Sequence, residues 1–153
     1  MHKHLTLFLA ALFCVASLSA QVPDALGVQL YSFRNEMKKD LKGTLKMVKD
    51  MGLQTVETSK FNGMTAEETR KMLDAAGLKA VSMGVNFDDL AKPEKWDTIA
   101  MNAKTLGAEF VMCPWIPHNG TEFTFADIKK AADVFNKSGK ALKKKGLKLL
   151  DHP

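Results

Sequence analysis

The chain has few of the residues that would brace a fold without a core. Two cysteines, Cys14 and Cys113, stand in 153 residues. That is too few for a disulfide framework, so stability has to come from an ordinary apolar core. No glycine occurs in the stretch "YSFRNEM" (31–37) after the first strand-like run. This weighs against the Gly-rich phosphate cradle of a dinucleotide-binding sheet. No concentrated basic stripe is evident either. The lysines are scattered along helix-like faces and cluster only at Lys143–Lys145, so no nucleic-acid partner is expected. The longest apolar run, Leu5–Leu18, is shorter than the roughly 20 residues that span a bilayer.

That run belongs to "MHKHLTLFLAALFCVASLSAQ", with a basic Lys3 before it and Leu18-Ser19-Ala20 after it. A basic n-region, an apolar core and small residues at the cut make a secretory signal peptide over residues 1–20, cleaved after Ala20. No lipobox precedes Cys14. The expectation is a secreted or periplasmic protein with no membrane association after cleavage. The mature part, 21–153, keeps Cys113 alone, and loss of Lys3 lowers the net charge of +5 by one. With 46% hydrophobic and 25% charged residues, the chain has a globular composition.

What the sequence does have is repetition. "DMGLQTVE" (50–57), "DAAGLKAVS" (74–82), "TLGAEFVM" (105–112) and "KKGLKLLD" (144–151) each place a glycine after a helix-like segment and before a β-rich run. Leu41, Leu45, Val48 and Met51 fall on one helical face, and so do Ile128, Ala131, Ala132, Phe135 and Leu142. Thr65 with Glu68 has the form of a capping box before Met72, Leu73 and Ala76. Pro93 suits a first turn ahead of the stripe Trp96, Ile99, Ala100 and Ala103. Strands are expected near 27–33, 54–58, 79–85, 109–114 and 147–151. This β-α alternation means an α/β protein with a parallel sheet covered by helices. Two architectures compete, an open doubly wound sheet and part of a (β/α)8 barrel.

In both, ligands bind at the carboxyl ends of the strands. Those ends offer Tyr31, Ser32 and Arg34, then Glu57, Ser59 and Lys60, then Asn86, then Trp115 and His118, and finally Asp151 and His152. Glu57 interrupts an apolar strand, where a carboxylate is costly unless paired or used, and it is the candidate catalytic acid. Tyr31, Trp115 and His118 are candidate substrate contacts, each with a packing or exposed-loop alternative. Cys113 lacks a partner base and is not read as a nucleophile. His152 is the candidate metal ligand, although a catalytic metal needs about three protein ligands.

Together "GVQLYSFR", "MGLQTVE", "AAGLKAVSMGV", "AKTLGAEFVMCPWIP" and "KKGLKLLDHP" resemble the first half of the sugar phosphate isomerase/epimerase family, the xylose isomerase-like TIM barrels. In that family the fifth strand usually runs into a Tyr-His-x-His turn. "LDHP" matches it with Asp151 at the tyrosine and His152 at the first histidine. The resemblance implies an incomplete (β/α)8 barrel of about four and a half β/α units, the N-terminal portion of a barrel domain over 21–153. It also implies a divalent metal (Mn²⁺, Mg²⁺ or similar) that helps a base move a proton on an open-chain sugar or polyol through an enediolate. Only His152 falls on a candidate ligand position, so the chain alone is expected to hold no metal stably and to be inactive. The alternatives are a sugar-ketone lyase or hydratase on the same barrel, or a non-catalytic carbohydrate-binding remnant. A full barrel takes roughly 200–250 residues. The expectation is therefore a longer gene product, or self-association through open sheet edges.

Overall fold

The computed structural model describes residues 26–59 and 63–152. The signal-peptide segment and Lys60 lie outside the described residues. Five strands form one parallel sheet: β1 (Gly27–Gln29), β2 (Thr55–Thr58), β3 (Lys79–Gly84), β4 (Phe110–Cys113) and β5 (Lys148–Asp151). Their order in space is their order in the chain, β1-β2-β3-β4-β5. That order decides between the two architectures. A doubly wound sheet reverses direction at a switch point, whereas here every crossover steps the same way. Right-handed crossovers that all step one way put every helix on one face. The sheet is an arc of a (β/α)8 barrel, and its other face is the barrel interior.

The helices are α1 (Arg34–Lys39), α2 (Leu41–Asp50), α3 (Ala66–Ala75), the short α4 (Phe87–Leu90), α5 (Trp96–Leu106) and α6 (Phe125–Lys144). Their starts follow from local chemistry. Asp40 accepts from the Gly43 amide at 2.9 Å to cap α2, and Thr65 and Glu68 close the expected capping box of α3. Thr124 and Asp127 form a second box at α6. The recurrent glycines Gly52, Gly77, Gly107 and Gly146 all have positive φ. At Gly107 (φ 79°) the left-handed backbone disfavours any other residue, and a Cβ would come within 2.8 Å of an Arg70 guanidinium nitrogen, the movable end of a flexible side chain.

The core lies between sheet and helices. Val48, Val56, Leu73, Leu78, Leu106, Val111, Cys113 and Leu142 are completely or almost completely buried. Each such leucine contributes about 1.5–3 kcal/mol by leaving water. Two sequence expectations need correction. The first strand ends at Gln29, because Leu30–Phe33 coil into a 3-10 turn that buries Leu30. Ile128 and Ala132 are exposed, since α6 buries a narrower stripe through Ala131, Ser138 and Leu142 with Val134 and Phe135 beside it. Helix α4, which buries Phe87 and Leu90, has no counterpart in the repeat pattern.

Candidate functional site

The barrel-side face of the sheet is a concave trough of about 560 Å³ that both Glu57 and His152 line. Parallel pairing sets Gln29 beside Glu57 on one side and Ser82 beside it on the other. Gln29 Nε2 donates to Glu57 Oε1 at 2.6 Å, and Ser82 Oγ donates to Glu57 Oε2 at 2.9 Å. The half-buried carboxylate therefore has a donor on each oxygen, from the strand on either side. This arrangement depends on a β-bulge between Val56 and Glu57 and their partners on β3. The bulge puts Val81 and Ser82 together on the trough face, while Ala80 and Met83 enter the core. Without it Ser82 would follow strict alternation and point away from Glu57.

Around this polar centre the trough is apolar. Val28, Val81, Phe110, Met112 and Leu150 line it, and Val81 and Leu150 are each 39% exposed. His152 follows β5 and is exposed. The structure thus brings Glu57 and His152 to one concavity, as their strand-end positions suggest. Among the described residues no three His, Cys, Asp or Glu side chains group closely enough to hold a metal ion. The described residues bring one carboxylate and one imidazole to the trough, fewer than the about three protein ligands a catalytic metal needs, so they do not fit a metal centre.

The remaining candidates stand apart from the trough lining. Tyr31 is exposed in the turn after β1, its ring 4.5 Å from the Arg34 guanidinium carbon, and Arg34 Nη1 donates to the Tyr31 carbonyl at 3.1 Å. That is a cation–π clasp between neighbours. Ser59 and Asn86 line a separate cleft beside the end of β3. Asp151 ends β5, exposed and in register with Cys113.

Trp115 and His118 occur together in the segment after β4. The His118 ring lies 5.4 Å from Trp115 and 5.5 Å, edge-on, from Phe123. His118 Nδ1 is 2.6 Å from the Ile116 carbonyl. A carbonyl only accepts, so Nδ1–H is the donor in this contact. Trp115 is 56% exposed, which settles against the reading of it as a core plug. Cys113 is buried, with Sγ 3.4 Å from the Trp115 carbonyl. Burial pushes its thiol pKa up and Asp151 adds to the rise, against the Trp115 hydrogen bond that lowers it. A neutral thiol is a poor nucleophile.

Sequence reasoning missed Gln29 and Ser82, the two residues that hold Glu57. Gln29 could have been found from alternation along "GVQ". Ser82 could not, because the bulge reverses its facing. Phe123, the third ring of the aromatic cluster, also went unread.

The fold and its trough define the class: this is an α/β chain with a partial (β/α)8 barrel, similar in three dimensions to sugar phosphate isomerase/epimerase proteins. One such protein from Parabacteroides distasonis superposes with a TM-score of 0.69 at 21% identity, over 88% of this chain and 53% of its own. A second from the same organism gives 0.66 at 26% identity, over 84% and 55%. A probable 3-DHS dehydratase, AsbF, from Bacillus anthracis gives 0.59 at 13% identity, over 84% and 53%, a likeness of fold alone. The chain spans about half the length of these solved structures. No protein-family model matches the chain, and neither does any curated protein.

Proposed function

We propose that the trough is the sugar-facing wall of an isomerase/epimerase-type site, which moves a proton between adjacent carbons of an open-chain sugar through an enediolate. The observation that carries this is Glu57, an acceptor-only carboxylate held by Gln29 and Ser82 on the barrel-side face. So held, it can accept a sugar hydroxyl through its remaining lone pairs. Trp115 and His118, beyond the end of β4, offer a ring face and an imidazole to a polyol. Among the described residues the trough lining holds one carboxylate, Glu57, and one imidazole, His152, so these residues are expected to bind a sugar without turning it over.

The test is titration of the chain with free ketoses by calorimetry, and in D2O by proton NMR with and without Mn²⁺. The expected result is binding that Glu57→Ala abolishes, with no solvent exchange at the carbon beside the carbonyl. Absence of ketose binding overturns the sugar-wall reading, and exchange by these residues alone overturns the reading that they do not turn sugar over. The dehydratase neighbour favours a second reading, loss of water from a sugar-derived ketone on the same barrel. Barrels of one shape host many chemistries. Trial of a 3-keto sugar alongside the ketoses separates the two.

A further inference from the structure

Lysines that look scattered in the sequence are gathered by the fold on the helical exterior. Helix α6 is 20 residues long, about 30 Å at 1.5 Å per residue. Lys130, Lys137, Lys140 and Lys144 follow one another at spacings of seven, three and four, which is one face of a helix. That face forms a wall of two cavities of about 470 and 480 Å³, which meet at Trp96 and Lys137. The four lysines and Lys129 line the pair, and all five are exposed. Two acids counter them. Asp133 lines the first cavity, and Asp97 pairs with Lys145 at the far end. Trp96 is half-buried at the junction, and its only donor, Nε1, is committed to the Leu90 carbonyl at 2.8 Å. The ring therefore offers the groove an apolar surface and no hydrogen bond.

We infer that this groove binds a linear acidic polysaccharide, a chain of uronic-acid sugars lying along α6 with one ring against Trp96. Charge complementarity and the groove's shape select this occupant. The cations are all lysine, point charges suited to single carboxylates, and the forked guanidinium that favours phosphate is missing from the lining. One aromatic at the junction gives a place for one ring, whereas single-stranded nucleic acid is held by a succession of stacked bases. A bilayer surface needs an apolar face along a helix, and α6 turns Ala131 and Leu142 to the core while its exposed large apolar residues, Phe125 and Ile128, stand only in its first turn. The choice of a sugar polymer rests on the sugar-directed reading of the trough. The groove itself is on the opposite side of the sheet from Glu57.

The test is calorimetric titration of the full chain with an oligogalacturonate and with a neutral maltooligosaccharide. The expected result is binding of the acidic oligosaccharide only, weakening as salt rises toward ~0.15 M. Triple reversal, Lys130→Glu with Lys137→Glu and Lys140→Glu, lowers that affinity by roughly a hundredfold or more. The corresponding triple Lys→Gln variant, with an unchanged circular dichroism spectrum, loses about tenfold. Equal binding of the neutral sugar, unchanged binding by both variants, or tighter binding of an oligothymidylate or of anionic phosphatidylserine vesicles overturns the proposal. Ketose binding measured on the same variants keeps the two sites apart. It survives the lysine changes if the groove is separate from the trough, and its absence with uronate binding intact strikes the trough reading alone.

Discussion

Ser82 Oγ donates to Glu57 Oε2 at 2.9 Å across a bulged register of β2 and β3, and Gln29 closes the other carboxylate oxygen from β1. A carboxylate braced from both sides is either a strut between strands or a preorganised binding group, and the two roles respond differently to mutation. Ser82→Ala removes one hydrogen bond to a charged acceptor and is expected to cost about 1.5–3 kcal/mol at most, less for a half-buried group. Glu57→Leu removes the acceptor and fills the space with an apolar side chain. If Glu57 serves binding, chemical denaturation of Glu57→Leu shows stability unchanged or raised while ketose binding disappears. A strut would show the reverse.

Asp127 caps α6 and is held by two hydrogen bonds. Its carboxylate accepts from the Thr124 hydroxyl at 2.7 Å and from the Thr124 amide at 2.9 Å. The Thr124 bonds, hydroxyl first and amide second, hold its pKa below the usual carboxylate value of 3.8, with smaller help from His118 and Lys130. A carboxyl depressed in the folded state stabilises fully above its unfolded pKa, and that stability is lost as pH falls through the lower folded value. The protection factor of the Thr124 amide, its exchange relative to an unstructured chain at the same pH, should therefore fall only below pH ~4, and Asp127→Asn should flatten that dependence. Hydrogen exchange followed by NMR reads both.

Buried Cys113, its thiol pKa raised by desolvation, should resist iodoacetamide at neutral pH in the native protein and react once denatured. Mass spectrometry after timed labelling measures this. Rapid native labelling would contradict the packing at β4.

Gly107 ends α5 at φ 79° with Arg70 alongside. Gly107→Ala puts a Cβ on a left-handed backbone and makes the movable Arg70 guanidinium shift, and should lower stability by about 1 kcal/mol. Gly52→Ala, equally left-handed but with nothing within 4 Å, should cost less. Thermal unfolding of the pair isolates the contact from the backbone effect.

Export is a proposal that rests on residues 1–20 alone. Expression with the native leader should yield a periplasmic or secreted protein whose first residue is Gln21. Recovery of the uncleaved chain from the cytosol would reject it.

The local code was readable to within a residue or two wherever one residue type settles the backbone. Glycines after helices, the Thr65–Glu68 box and the apolar runs fixed four of the five strands nearly where they lie. It failed where neighbours decide. Leu30 turns the chain off β1 to reach the core, and Ile128 stays in water because α6 touches the sheet along a narrower stripe than its periodicity offers. Glu57 stood out as a lone acid in an apolar run, but its two partners belong to other strands.

By itself, then, the sequence determined the elements, their alternation and the strand-end location of Glu57 and His152, because helix caps, turns and period-two patterns act over a few residues. Only the tertiary structure decided the sequential strand order that makes a barrel arc, the bulge that turns Ser82 to Glu57, and the alignment of the α6 lysines with Trp96. These depend on which strand or helix lies beside which, and pairing at separations of 25 or more residues leaves no trace in local spacing.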